Sequence, residues 1–160
     1  ALDPLAKDSE YDPQSAAISS AYVSAFNNYV RTTLKFGQDM HYNSEIYGVP
    51  EFDWDFRHKA PGQHFAFPGS TNVLPDLAVA MKYNPDLKVM VNGGFYDLAT
   101  PYYAAVYEQE HLPIPQSLRK NISYAFYPSG HMVYAHEPSL KQLHDNVANF
   151  IRSTDNQQNH

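Results

Sequence analysis

Along this chain apolar residues recur in steps of three and four in four places, and in two others they form short strand-like runs. Over residues 15–36, Ile18, Tyr22, Phe26, Tyr29, Val30 and Leu34 make a helical stripe, with Ser15 placed to cap it and Gly37 to stop it. Leu74, Leu77, Ala78 and Met81 predict a shorter helix that ends at Asn84 and Pro85. Tyr103, Val106 and Tyr107 mark a third helix, opened by Thr100 as cap and Pro101 in the first turn, and stopped before Pro113. The clearest stripe is the last: Leu140, Leu143, Val147, Phe150 and Ile151 follow Ser139 and Gln142 in capping-box spacing.

The two strand-like runs lie between these helices. LKVMV at 87–91 is a buried strand by its composition, broken by Asn92, Gly93 and Gly94 and followed at once by Asp97. ISYAFY at 122–127 alternates and is rich in β-formers, and it breaks at Pro128, Ser129 and Gly130, with His131 next. Strand, glycine loop, acid and helix in that order are the grammar of an α/β protein with a parallel sheet, whose reactive groups lie beyond the carboxyl ends of the strands. Two strands are too few for such a sheet, because parallel strands need neighbours and cover on both faces. The chain is therefore expected to be the carboxyl-terminal part of a longer α/β protein, mostly helical with a small parallel sheet remnant, the missing strands lying upstream of Ala1.

The stretch from Gly37 to Ser70 mixes aromatics with Pro, Gly and His and holds no period, which reads as a lid or a docking surface. The expected division is a helical and aromatic lid-like segment at 1–72, an α/β portion at 73–154 and a polar tail at 155–160. The aromatic loop around Phe52, Trp54, Phe56, Phe65 and Phe67 is either simple packing or a ligand-binding wall.

Composition narrows the partners. Asp and Glu number 17 against 11 Lys and Arg, a formal net charge of −6, so nucleic acid and anionic membrane are not expected partners. No apolar stretch approaches the length of a membrane span. The lack of cysteine excludes disulfides within these residues and a Cys nucleophile.

Asp97 and His131 are the candidate chemistry. An acid after one strand and a histidine after the next is the back half of the Ser, Asp, His order of α/β-hydrolases. The plain alternative for Asp97 is a turn former or helix cap. Glu108 and His111 make an E-x-x-H on a helix, but a carboxylate-bridged metal site needs a second copy and none exists, so no metal or other cofactor is expected. His136 and His144 beside the last helix read as solvated or capping residues.

The strings NGGFYDLATP at 92–101 and YPSGHMVYAHEPSL at 127–140 resemble the acid and histidine motifs of the serine carboxypeptidase-like family of α/β-hydrolases, particularly its bacterial branch. That family's G-x-x-D is matched by Gly94 and Asp97, and its G-H-M by Gly130, His131 and Met132. The resemblance covers roughly residues 70–152. One departure is Tyr134, where better-known members follow G-H-M-V with Pro. The resemblance implies hydrolysis of peptides from the carboxyl end in a secreted or periplasmic setting, with Asp97 and His131 catalytic and with Met132 and Tyr96 as candidate substrate-binding residues.

The chain has no G-x-S-x-G. Ser70 follows Gly69 without a strand ahead of it, and Ser129 is too close to His131 in sequence to meet its ring correctly. The nucleophile is therefore expected upstream, the chain alone is expected to be inert, and its sheet edge is expected to pair with the upstream part of the same protein or with a second copy. The competing class is a non-enzymatic module that holds a peptide or another chain on the same scaffold. The hydrolase reading requires the Asp97 carboxylate within hydrogen-bonding distance of the His131 ring.

Overall fold

The computed structural model describes residues 13–44, 52–53, 55–68 and 71–155, and the side chains from Ile18 onward. Residues 1–12, the Ser15 side chain, Trp54, Gly69, Ser70 and residues 156–160 lie outside the described residues. The chain divides into two compact units, Ala1–Asp55 and Phe56–His160.

In the first unit α1 spans Pro13–Thr32. It begins before Ser15, so that residue lies in its first turn and not at its cap; a proline opening a helix forfeits no hydrogen bond. It also ends short of the predicted Phe36. Lys35 and Gly37 both adopt left-handed backbone, φ 52° and 60°, and the chain turns back on the helix. The Arg31 guanidinium holds that turn, donating to the carbonyl of Gln38 at 2.9 Å and to that of Met40, while its Nε donates to Asn27 Oδ1 at 2.7 Å. The rings of Phe26 and Tyr42 meet at 5.4 Å.

The second unit holds α2 (Leu74–Tyr83), β1 (Val89–Gly94), α3 (Tyr102–Glu110), α4 (Gln116–Arg119), β2 (Ile122–Tyr127), a 3-10 turn (Val133–Ala135) and α5 (Glu137–Thr154). It is an α/β arrangement: β1 and β2 pair in parallel, from Val89 opposite Ile122 to Gly94 opposite Tyr127, and α3 and α4 make the crossover. Because successive strand residues alternate faces, Phe126 meets Tyr102 of α3 on one face, rings 5.2 Å apart. On the other face the Tyr127 hydroxyl accepts from Asn146 of α5 at 3.3 Å and donates to Asn92 at 2.9 Å. A helix on each face is what lets both strands be apolar.

The core sits at the amino ends of the strands, where Ala78, Met81, Leu112 and Leu118 are buried against Leu74, Leu77, Leu87, Val89, Ile114 and Ile122. Asn121 closes that end. Its main chain accepts from Val89 and its side chain joins Lys88 Nζ, at 2.6 Å, to the carbonyl of Pro85, at 2.7 Å. The hydrogen-bonded pair His58 and Phe67 forms an isolated antiparallel bridge that closes the loop ahead of α2.

Three local expectations are corrected. Asn92, Gly93 and Gly94 do not break β1 but belong to it. Thr100 does not cap α3; Pro101 occupies the cap position with no side-chain bond. Ser139 and Gln142 do not form a capping box, because α5 starts two residues earlier with Pro138 in its first turn, and buried Ser139 instead bonds His136 Nδ1 at 2.7 Å. Strand pairing holds the first of these, and in the other two a bond to a residue three positions back replaces the predicted cap.

Beyond the strands the two segments run on side by side. Phe95 N donates to the carbonyl of Tyr127 at 2.9 Å and Tyr96 N to that of Ser129 at 3.0 Å. A Cβ on Gly94 would collide with the carbonyl oxygens of Ser129 and Gly130, whereas one on Gly93 would only touch the Phe126 ring at 3.4 Å. Gly94→Ala is therefore expected to cost about 3 kcal/mol, the upper part of the overpacking range, with Gly93→Ala costing clearly less. Urea denaturation of the two variants checks this, and equal stabilities would show that the loops do not need the close approach.

Candidate functional site: the Asp97 and His131 pair

The loops leaving β1 and β2 carry one candidate group each, and the structure brings them together. Asp97 is 6% exposed and its two oxygens have different partners. Oδ1 accepts from the amides of Ala99 and Thr100, both at 2.8 Å. Oδ2 accepts from the Thr100 hydroxyl at 2.6 Å and from His131 Nδ1 at 2.9 Å. The first pair is an Asx turn of the kind that a short acidic side chain makes with amides two and three residues on. Turn former and ring partner are thus both true of Asp97, one for each oxygen.

Burial alone pushes the Asp97 carboxyl up. The hydroxyl and amide of Thr100, the ring of His131 and the amide of Ala99 outweigh it and hold the group well below the usual carboxylate range. An ionised carboxylate only accepts hydrogen bonds, so the Nδ1 that faces it carries the proton. The His131 side chain is 52% exposed, and no hydrogen bond among the described residues engages its Nε2. The arrangement has a buried anionic end, an oriented imidazole and an open basic nitrogen.

Around the pair, Tyr96 lies exposed in the β1 loop and Met132, half-buried, precedes the 3-10 turn. Leu98, next to the acid, is 94% exposed. Ser129 is buried, with its main chain bonded to Tyr96 and Tyr127. The other singled-out groups do not join the site. His111 stacks on Tyr107 at 4.0 Å and its Nδ1 bonds the carbonyl of that residue at 2.6 Å. His136 bonds Ser139, and His144 lies at the surface 3.1 Å from Asp145. Among the described residues no three His, Cys, Asp or Glu side chains are grouped to hold a metal ion, and no helix is long and apolar enough to cross a membrane.

Two participants were not read from the sequence. Thr100, taken there for a helix cap, is the hydroxyl partner of Asp97; the signal was the D-x-x-T spacing, which brings a hydroxyl back to the acid. A second acid and histidine pair, His58 Nε2 to Asp76 Oδ2 at 2.8 Å, ties the bridged loop to the first turn of α2. Nothing in the spacing of those two residues announces it.

Comparison with protein-family models, with curated proteins and with solved structures finds no match to this chain.

The bonds to Asp97 favour the ionised form, so their contribution to stability is complete above the ordinary carboxylate range near pH 4 and is lost as the pH falls through the lower value of the folded carboxyl. Asp97→Asn is expected to be less stable than the wild type by roughly 1.5–3 kcal/mol at neutral pH, the usual weight of bonds to a charged group. That difference should shrink on acidification, because only the wild type loses the term. Urea midpoints across a pH series check both the size and the slope.

Proposed function

We propose that this chain carries the acid and the base of a Ser-Asp-His triad belonging to a serine carboxypeptidase-like peptidase, with Asp97 as the acid and His131 as the base. The observation that carries the reading is the 2.9 Å contact between Asp97 Oδ2 and His131 Nδ1, made just past the carboxyl ends of two adjacent parallel strands. The family-like strings around the two residues support it. So does the open Nε2, since a base bonded at both nitrogens has no free lone pair.

In this reading the Nε2 of His131 takes the proton of a serine hydroxyl as its oxygen attacks the acyl carbon of the last peptide bond. The ring, now a cation between the serine and Asp97, then gives that proton to the leaving amine, and a water repeats the cycle to free the acyl group as an acid. Asp97 stays ionised throughout and supplies orientation and charge. Met132 and Tyr96 flank the pair and are assigned to the pocket for the residue that leaves. The serine and the groups that stabilise the oxyanion belong to a part of the protein upstream of Ala1, in keeping with the missing G-x-S-x-G and the two-stranded sheet. A periplasmic or extracellular setting goes with this assignment.

A second reading draws on the aromatic loop. Phe65 and Phe67 have rings 4.7 Å apart and are both exposed, so they are not core packing, and a peptide-binding module would use such a wall without any chemistry.

A fluorophosphonate probe, which reports a serine activated by a histidine, tests the hydrolase. The 160-residue chain alone is expected to remain unlabelled. The longer product of its reading frame is expected to label, and His131→Ala in that product should slow peptide hydrolysis at least about a thousandfold. A reading frame without an upstream serine elbow, or a His131→Ala variant that keeps its rate, overturns the hydrolase and leaves the binding module.

A further inference from the structure

We propose that Thr100 is a positioning residue of this site: it grips both oxygens of Asp97 and, through its hydroxyl, fixes the His131 ring as the tautomer with hydrogen on Nδ1.

The argument starts from the distances. Thr100 donates twice to the same carboxylate, through its amide to Oδ1 at 2.8 Å and through its hydroxyl to Oδ2 at 2.6 Å. Two bonds from one residue to the two ends of a planar group stop that group from rotating, which a single bond does not. The same hydroxyl oxygen lies 3.3 Å from His131 Nδ1.

A hydroxyl has one proton to give and lone pairs to accept with. The proton goes to the carboxylate, because an ionised carboxylate offers no donor of its own and the 2.6 Å bond is the shortest at the site. The hydroxyl then shows Nδ1 a lone pair. Nδ1 therefore faces two acceptors, Asp97 Oδ2 and Thr100 Oγ1, and no donor. The opposite tautomer would set its bare Nδ1 against both at once. Thr100 thus backs up Asp97 in keeping Nε2 as the open lone pair, and the absence of a side-chain bond to the α3 cap means that its hydroxyl has no competing structural duty there. The hydroxyl is also the leading donor that keeps the Asp97 carboxyl low against the effect of burial.

The use made of this tautomer rests on the hydrolytic reading above, but the tautomer itself does not, so the test needs neither substrate nor serine. Nitrogen-15 and carbon-13 resonances of the 160-residue chain are followed through a pH titration in the wild type, Thr100→Ser and Thr100→Val. The wild type is expected to show His131 with hydrogen on Nδ1. In Thr100→Val the Asp97 carboxyl should titrate higher, towards the ordinary carboxylate range, and the Nδ1 proton signal should be lost to exchange with solvent. Thr100→Ser, which keeps the hydroxyl, should restore both, whereas a role confined to backbone packing would move neither signal. A folded Thr100→Val with unchanged signals overturns the proposal, and so does a wild type with its hydrogen on Nε2, a result that requires no variant to fold. Loss of the hydrolase reading alone, through failure of the fluorophosphonate test, would leave these resonances as expected.

Discussion

Everything at the carboxyl end of the sheet depends on how one buried carboxylate divides its bonds. Asp97 Oδ1 is spent on the amides of its own turn, and Oδ2 is left for Thr100 and for a residue on the other loop, His131. Had both oxygens served the turn, the histidine would have no anchor. Had neither, the buried charge would be unsupported, since burial by itself raises a carboxyl and favours its neutral form. Four donors on two oxygens solve both problems at once. They keep the group ionised at low exposure and they leave one direction of approach for an imidazole.

That arrangement is built by the strand pairing. The parallel register brings Gly94 opposite Tyr127, and the main-chain bonds from Phe95 and Tyr96 carry the pairing two residues past the sheet. The two loops can run that close only because position 94 has no Cβ to meet the carbonyls of Ser129 and Gly130. At the opposite end Asn121, directly ahead of β2, bonds Lys88 and Val89 at the start of β1 and the carbonyl of Pro85. The sheet is pinned at its base by one amide side chain and at its tip by one missing methyl. Between the pins, Tyr127 connects Asn92 to Asn146 and so holds α5 to the strand that delivers the histidine.

The elements were legible in the sequence wherever a period was sustained. The stripe of Leu143, Val147 and Phe150, the β-rich ISYAFY and the run at 87–91 from Val89 onward became the predicted kind of element. Their ends were not legible, for one recurring reason. Thr100, Ser139 and Gly37 each carry a familiar local signal, but Thr100 is taken by Asp97 and Ser139 by His136, while α1 ends at Thr32, short of Gly37, and Lys35 already turns the chain with left-handed backbone. A short polar side chain has one or two bonds to give, and in Thr100 and Ser139 a neighbour three residues back takes them in place of the helix end. The site was legible for a different reason: Asp97 and His131 each follow directly on a strand, so parallel pairing alone is enough to bring them side by side. Thr100 escaped because it stands ahead of a helix and was read as its cap, not as a hydroxyl three residues from an acid, and His58 with Asp76 because the loop between them has no pattern to follow.

What the described residues complete and what they leave open follows from width. Strands lie about 4.8 Å apart, whereas a helix with its side chains is about 10 Å across, so a two-stranded sheet is no wider than one helix. α5 therefore buries one flank of its stripe, with Leu143, Val147 and Phe150 half-covered, while Leu140 and Ile151 remain exposed. The same narrowness leaves each strand bonded to the other and to no further strand among the described residues. The inner half of the acid and histidine pair is independent of this, because its four donors come from the two loops themselves. Its outer half is open, because no hydrogen bond among the described residues engages the Nε2 of His131 and Leu98 beside the acid is exposed. The pair is thus held by contacts within the two loops, and what it asks of the narrow sheet is only the parallel register that sets those loops side by side.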